Sequence, residues 1–239
     1  ESAASEADRV LQSVFEKSKL YEAGAVVFLG NHLLICDDNR SDLVRSILSN
    51  ESAALAFCDP PYNAQVAEWD AGNFEWQQDF LIDVADVVAV TPGIGNLPGF
   101  FQRTAMPYKW SVSAHISNGM TRGALGFGNW IYTALFSNLD SIHRNRQDVT
   151  VISIQNADAD QLGAKRQKPS RYLAWLFGLL SEQGDTVIDA FGGSGNSVIV
   201  AHEMGRRCIC IERDVETFNA LVARVSAAIG EMPKLMEAA

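Results

Sequence analysis

One short segment combines residue types suited to holding a planar amino group. It reads Asp59-Pro60-Pro61-Tyr62 and follows an apolar run over residues 53–58 that predicts a buried strand. Because each proline lacks an N–H and fixes its own φ angle, the chain cannot continue there as a strand or a regular helix. The Asp59 carboxylate and the Pro60 carbonyl can then accept two N–H bonds, and the Tyr62 ring can stack on a flat ligand. A proline-rich turn without a ligand is the alternative that this segment alone leaves open.

A second segment, over residues 187–196, has the pattern of a nucleoside-binding turn. It reads Val-Ile-Asp-Ala-Phe-Gly-Gly-Ser-Gly-Asn, a strand followed by glycines at a helix start, where backbone can approach a ligand closely. The next strand ends at Glu212, about 20 residues after Gly193, a spacing that suits a carboxylate accepting ribose hydroxyls. The third glycine of the dinucleotide fingerprint and the Gly-Lys-Ser/Thr of a P-loop are both missing. The pattern therefore favours an adenosine-type cofactor without a pyrophosphate.

Alternating strands and helices must position these two segments. Apolar runs predict strands at 25–29, 33–36, 53–58, 87–90, 186–190 and 208–211. Helices are predicted at 41–48, 74–82, 169–182, 196–204 and from 215 onward. Between 93 and 148 the pattern is irregular, with short β-like runs at 130–136 and 149–154. The sequence therefore predicts an α/β fold with a doubly wound, mainly parallel sheet and a short irregular insertion.

Charge is distributed unevenly along the chain. The net charge is −10 overall, but it is −11 for residues 1–100, +5 for residues 101–171 and −4 for residues 172–239. The basic middle third is the candidate phosphate-contacting surface, with a solvated surface of mixed charge as the alternative. The candidate contact residues are Arg103, Lys109, Arg122, Arg144, Arg146, Lys165 and Arg166.

Composition narrows the class of protein. With 239 residues, 47% of them hydrophobic, we expect one domain over residues 1–239 with a full α/β core. No apolar run approaches a membrane span, and the opening residues do not form a signal peptide, so we expect a cytoplasmic protein without a membrane partner. The four cysteines, at 36, 58, 208 and 210, lack the CxxC spacing of zinc sites, so we expect reduced core residues and no metal.

These motifs together resemble those of the S-adenosylmethionine-dependent DNA amino-methyltransferases, the N6-adenine/N4-cytosine family. Asp59-Pro60-Pro61-Tyr62 is similar to the family's catalytic motif, and Phe191-x-Gly193-x-Gly195 to its cofactor motif. Gln167-Lys168-Pro169 is similar to the segment that begins the methionine-binding helix, and Cys36-Asp37 to a position near the adenine of the cofactor. The catalytic motif comes first and the cofactor motif last, which is the β-class order. The resemblance implies a Rossmann-like methyltransferase fold.

The resemblance also implies a role for each matching residue. Asp59, Pro60, Pro61 and Tyr62 would form the catalytic pocket. S-adenosylmethionine would contact Asp37, Lys168, Ser170, Asp189, Phe191, Gly193, Gly195 and Glu212. The basic residues given above would bind DNA, with 93–165 as a variable target-recognition insertion. A duplex base would have to flip out of its stack to reach the pocket.

The leading hypothesis is a methyltransferase acting on the N6 of adenine in double-stranded DNA, as in bacterial, phage or plasmid restriction-modification. An aspartate at the first catalytic position favours adenine over cytosine. The alternatives are an N4-cytosine DNA methyltransferase, an RNA methyltransferase, or a non-catalytic cofactor-binding subunit of a larger DNA-modifying assembly. A homodimer or a partner subunit would compensate for the short middle region.

Overall fold

A ten-stranded mixed sheet organises the part of the chain that the computed structural model describes, residues 21–61, 75–119, 121–123, 125–142, 145–153 and 167–236. The strands in chain order are β1 (Val26–Leu29), β2 (His32–Cys36), β3 (Ala53–Cys58), β4 (Ala85–Val90), β5 (Tyr108–Ile116), β6 (Thr121–Gly123), β7 (Gly126–Gly128), β8 (Trp130–Phe136), β9 (Val149–Ile152), β10 (Thr186–Asp189), β11 (Arg207–Glu212) and β12 (Lys234–Leu235). The order across the main sheet is β12-β1-β2-β11-β10-β3-β4-β8-β5-β9, and β6 and β7 form a separate antiparallel pair.

In the described part of the chain, five α-helices and two short 3-10 helices pack beside the sheet or link its strands. The α-helices are α1 (Asp42–Leu48), α2 (Leu97–Arg103), α3 (Ser170–Leu180), α4 (Asn196–Glu203) and α5 (Val215–Ile229), and the 3-10 helices are Asp79–Asp83 and Ile94–Asn96. Two starts are fixed by side-chain caps. Ser41 Oγ accepts a bond from the Val44 N–H at the start of α1, and Asp214 Oδ1 accepts one from Thr217 at the start of α5.

The centre of the sheet is parallel and contains a topological switch point. Strands β2, β11, β10, β3 and β4 all run in the same direction. From β10 the chain crosses through α4 to β11 on one side, whereas from β3 it crosses to β4 on the other side. A crevice therefore opens between β10 and β3 at their carboxyl ends, which is where ligands bind in open α/β sheets.

Both faces of the central strands are buried. All five residues of β2 are buried, as are five of the six in β3 and in β4. Helices α3, α4 and α5 cover one face, while α1, α2 and the 3-10 helix at Asp79–Asp83 cover the other. Strands covered on both faces carry continuous apolar runs, which explains why the sequence predicts them well.

The predicted doubly wound, mainly parallel sheet is confirmed, and so is the state of the cysteines. All four are free and buried, and Cys208 and Cys210 face one layer of the core while Ile209 and Ile211 face the other.

Two local predictions are wrong. The predicted helix at 74–82 is a short 3-10 helix at Asp79–Asp83, and Phe74 lies outside the described residues. The buried side chains of Trp76 and Gln78 are held instead by bonds to Asp79 and Asn39. The stretch predicted to be irregular contains α2 and the nine-residue β5.

Candidate active site

A tight turn joins β10 to α4 and packs against β11 and α5. The Gly192 N–H donates to the carbonyl of Ile211 at 2.8 Å, which ties the turn to the end of β11. Gly195 has a φ of +75°, and a Cβ there would lie 2.7 Å from Val225 Cγ2 and 2.8 Å from Leu221 Cγ. Glycine is therefore required at 195 both for its left-handed backbone and for the close approach of α5.

Glu212 stands at the carboxyl end of β11 and faces this turn. Its Oε2 accepts a bond from the Gly193 N–H at 2.8 Å, and its Oε1 accepts one from the Asp214 N–H at 2.8 Å. Burial raises the pKa of this carboxyl, while the two backbone N–H groups oppose that rise. Each carboxylate oxygen can accept a further bond, so Glu212 can still receive hydroxyl donors.

Asp189 is the last residue of β10, and its side chain accepts hydrogen bonds from both sides of the glycine-rich turn. Only 3% of this residue is exposed. Its Oδ1 accepts the Phe191 N–H at 3.0 Å, and its Oδ2 accepts a short bond from the Ser197 hydroxyl. Burial raises its pKa to about 6, with a smaller contribution from the charges of Asp59 and Glu212. These bonds make Asp189 an organiser of the turn.

Asp59 lies across the switch point from Asp189, just beyond the end of β3. Its Oδ1 accepts a bond from Thr91 Oγ1 at 2.7 Å, and Thr91 is the buried residue that follows β4. The Lys168 ammonium lies 2.6 Å from both Asp59 oxygens. Pro60 is buried and Pro61 half-buried beside Asp59, while Tyr62 lies outside the described residues.

The segment that carries Lys168 is fastened to the first turn of α4. Asn196 Nδ2 donates to the Lys168 carbonyl at 3.0 Å and to Ser170 Oγ at 3.2 Å. Ser194 Oγ donates to Gln167 Oε1 at 2.7 Å. The predicted cofactor residues Lys168 and Ser170 thus lie against the glycine-rich turn, and Lys168 also bridges it to Asp59.

Asp37 follows β2 and organises its own loop. Its Oδ1 accepts the Asp38 N–H at 2.7 Å, and its Oδ2 accepts the Ser41 hydroxyl at 2.8 Å. The neighbouring Asn39 reaches the switch point, where its Nδ2 donates to the Ala190 carbonyl at 2.7 Å. Asp37 therefore lies at the same edge of the sheet as Glu212, because β2 and β11 are adjacent parallel strands.

Sequence reasoning missed three residues that support this site, namely Asn39, Thr91 and Asn196. Each contacts a predicted site segment by its side chain. Thr91 directly follows the predicted strand at 87–90, and Asn196 directly follows the glycine-rich turn. Their positions at the carboxyl edge of the sheet could therefore have identified them from the sequence. The contact of Asn39 with a residue 151 positions away follows only from the sheet order.

The candidate DNA-contacting residues are spread over several elements. Arg103 is exposed at the end of α2, Arg146 is exposed before β9, and Lys109 is half-buried near the start of β5. Through β8, the start of β5 is level with Val88 of β4, so Lys109 lies on the body of the sheet and not at its carboxyl edge. The backbone of Arg122 lies in β6, and Arg144, Lys165 and Arg166 lie outside the described residues.

Strands β5 and β8 extend past the carboxyl end of β4. Val90 is the last residue of β4 and pairs with Ala134, whereas β8 begins four residues earlier at Trp130, opposite His115. The β6–β7 hairpin lies in the connection between these two strands. The ends of β5 and β8 that extend past β4, together with the β6–β7 hairpin, therefore lie beside the carboxyl edge of the sheet, where Asp59 is located.

Among the described residues, no helix is long and apolar enough to cross a membrane. The same part of the chain contains no group of three or more His, Cys, Asp or Glu side chains arranged to hold a metal ion.

Similarity to known proteins covers part of the sequence and most of the fold. Residues 128–223 match the N6_N4_Mtase family model, described as DNA methylase, and this match includes α3, the glycine-rich turn and Glu212. The crystal structure of M1.HpyAVI is similar over 80% of this chain and 97% of its own, with a TM-score of 0.58 and 14% identity. Its SAM complex gives a TM-score of 0.59, also at 14% identity, over 80% of this chain and 98% of that one.

A third similar structure is the cytosine-N4-specific PvuII DNA methyltransferase. It matches at a TM-score of 0.56 and 15% identity, over 84% of this chain and 92% of its own. At this level of identity the solved structures establish the fold, and the family match adds the cofactor-side motifs of the sequence. With its catalytic-type segment at the adjoining strand end, the chain is similar to the DNA methylases of the N6_N4_Mtase family over residues 128–223 and shares the fold of these DNA methyltransferases.

Proposed function

We propose that this protein transfers a methyl group from S-adenosylmethionine to the exocyclic N6 of adenine in double-stranded DNA. The observation that carries the proposal is the position of Asp59. It lies at the end of β3, bonded to Thr91 and Lys168, directly across the switch point from the glycine-rich turn. An amino-group acceptor and a nucleoside-binding turn therefore share one crevice.

The residues at this crevice fit S-adenosylmethionine. Glu212 offers acceptor capacity for ribose hydroxyls at the end of β11. A Cβ at Gly193 would meet nothing nearer than the Phe191 carbonyl at 3.9 Å, so the turn can be approached closely there. Lys168 and Ser170 lie on the opposite side of the turn, toward β3, where the methionine end would extend. We assign Asp37, Asp189, Phe191 and Gly195 supporting positions around the same ligand.

Catalysis by these residues is a matter of positioning. Asp59 and the Pro60 carbonyl accept the two N–H bonds of the target amino group and turn the nitrogen lone pair toward the donor. The cofactor supplies an electrophilic methyl group on a sulfonium. Asp59 also stabilises the positive charge that develops on the nitrogen. Tyr62 is assigned to stack on the base, and Pro61 to rigidify the corner.

A base in a duplex cannot reach this crevice while it is stacked. We therefore include base flipping in the proposal, with the target nucleotide extruded into the space beside Asp59. The basic residues between 93 and 165 would hold the DNA backbone during this step, with Arg103, Arg122 and Arg146 as candidates at different elements. Of these positions, that of Arg122 in the hairpin beside the carboxyl edge suits a DNA contact best.

The choice of adenine rests on the aspartate at the first catalytic position, as the family resemblance implies. Cytosine N4 is the second candidate, because the PvuII enzyme with the similar fold is cytosine-N4-specific. The test is to incubate the protein with radiolabelled S-adenosylmethionine and either duplex DNA or RNA, digest each product, and identify the labelled nucleoside. We expect N6-methyl-2′-deoxyadenosine. Label on cytosine would overturn the base assignment, and label only on RNA would overturn the substrate class.

Asp59→Asn is the matching variant. We expect it to lower the methylation rate by about 100-fold or more, because the carboxylate no longer stabilises the developing charge. Asp86→Asn is the control, since it makes the same change at an exposed position in β4. Full activity in Asp59→Asn would refute the mechanism, and no methyl transfer by the unmodified protein to any nucleic acid would favour the non-catalytic subunit.

A further inference from the structure

We propose that Lys168 is a positioning residue that couples cofactor binding to the target base. Its ammonium is held by the Asp59 carboxylate until the carboxylate at the amino-acid end of the cofactor draws it away. Asp59 then receives the target amino group. This regulation rests on the proposed function, and it predicts that the cofactor must bind before the base is held productively.

The starting point is the ion pair itself. Lys168 Nζ lies 2.6 Å from Asp59 Oδ1 and 2.6 Å from Oδ2, and the two side chains are 13% and 21% exposed. A charge-assisted pair this short and this shielded from water is stronger than one on the surface. Asp59 is therefore engaged by a cation at the position where the target amino group would bind.

The backbone around Lys168 is fixed independently of its ammonium. The Lys168 carbonyl accepts a bond from Asn196, and the preceding Gln167 accepts one from Ser194. Both donors belong to the glycine-rich turn or the first residue of α4. The long side chain can therefore exchange one carboxylate for another while its main chain stays in place.

Strand order would place the amino-acid carboxylate of a bound cofactor near this lysine. The neighbours run β11, β10, β3 across the sheet, so Glu212, the glycine-rich turn and Asp59 follow one another along the carboxyl edge. A cofactor with its ribose at Glu212 and its body across the turn would have its amino-acid end beside Asp59. Its amino-acid carboxylate then needs a cation, and Lys168 is fastened to that side of the turn.

The exchange changes the charge that the target nitrogen meets. With Lys168 paired to Asp59, an ammonium lies beside a nitrogen that must become positive during methyl transfer. Like charges in a shielded site are costly, so this arrangement opposes the reaction. Once Lys168 pairs with the cofactor carboxylate, the negative charge of Asp59 acts on the target nitrogen.

The test is calorimetric titration of the full chain with S-adenosylhomocysteine, the product form of the cofactor. Asp59→Asn removes the competing carboxylate, so we expect it to tighten binding by about five- to tenfold. Lys168→Met should weaken binding by about tenfold, and adding Asp59→Asn to it should have no further effect. 5′-Methylthioadenosine lacks the amino-acid end, so its affinity should be the same in all four proteins.

Unchanged or weaker binding by Asp59→Asn would overturn the coupling, and so would an equal response to methylthioadenosine. Thermal melting of each variant checks that it is folded. Asp59→Ala is a second variant without the carboxylate, and it must show the same direction of change in affinity as Asp59→Asn. If the affinities change as expected but the protein transfers no methyl group to DNA, the proposed function is refuted and the coupling is not. If the unmodified protein binds no S-adenosylhomocysteine, both proposals are refuted.

Discussion

Replacing Gly195 with alanine tests whether the turn before α4 is constrained by its backbone alone or also by α5. The residue has a φ of +75°, and an added Cβ would lie 2.7 Å from Val225 and 2.8 Å from Leu221. The left-handed conformation costs an alanine about 1 kcal/mol. Overpacking against two buried side chains adds about 1–3 kcal/mol. We therefore expect Gly195→Ala to lower the free energy of unfolding by about 2–4 kcal/mol.

Gly230→Ala is the matched control. Gly230 has a φ of +72° at the end of α5, but a Cβ there meets nothing within 4 Å. Its substitution should cost only the backbone term, about 1 kcal/mol. Urea denaturation followed by circular dichroism would measure both variants, with similar m-values required for the comparison. Equal losses in the two proteins would refute the argument that α5 demands a glycine at 195.

Two further predictions concern His32, which is buried, and Asp79, which is half-buried. Burial lowers the pKa of His32 to about 4, so the unfolded state takes up the proton first as the pH falls below about 6.5. The stability that His32 contributes should be constant above that pH and decline toward pH 4, whereas the raised pKa of Asp189 acts in the opposite direction over the same range. The His32 contribution is therefore measured as the difference in unfolding free energy between the unmodified protein and His32→Gln in urea titrations, and this difference should change between about pH 6.5 and about pH 4. Asp79 accepts bonds from the Trp76 indole, the Thr104 hydroxyl and the Ala105 N–H. Asp79→Asn should therefore cost about 1–3 kcal/mol, measured by tryptophan fluorescence in urea.

Each of these has a control at a more exposed residue of the same type. Asp83→Asn, in the same 3-10 helix as Asp79, should leave stability nearly unchanged, and an equal loss would refute the role of the three bonds. For His32, a pH profile that keeps its full slope in the glutamine variant would show that other groups cause the decline. His115 is not fully buried and pairs with Asn129 in the β5–β8 extension, which makes His115→Gln the comparison.

The central fold could be predicted because its signals are local. Each of the parallel strands is an apolar run bounded by polar or glycine-rich residues, and the Asp59 and Gly193 segments follow two of them directly. Parallel strands end at one edge, so these segments had to share a crevice once the sheet order was assumed. This much of the site follows from sequence and general topology.

The remainder depends on contacts that no local pattern encodes. Strand β5 alternates Val112, Ala114 and Ile116 on its buried face with Ser113 and His115 on the other, a period-2 signal easily lost among neighbouring glycines and aromatics. The pairing of Lys168 with Asp59 joins residues 109 positions apart. Its existence depends on how α3 is docked, so the sequence predicts each residue but not the ion pair.

The order of strands across the sheet has a consequence for synthesis of the chain. Strands β10 and β11 join β2 to β3, yet they are made after all the other strands of the sheet except β12. Until residues 186–212 leave the ribosome, β1–β2 and β3–β4–β8–β5–β9 are two separate half-sheets. Both β2 and β3 then have an unpaired apolar edge, the kind that templates aggregation. The nascent protein can neither complete its crevice nor protect these edges until residues 186–212 have been translated.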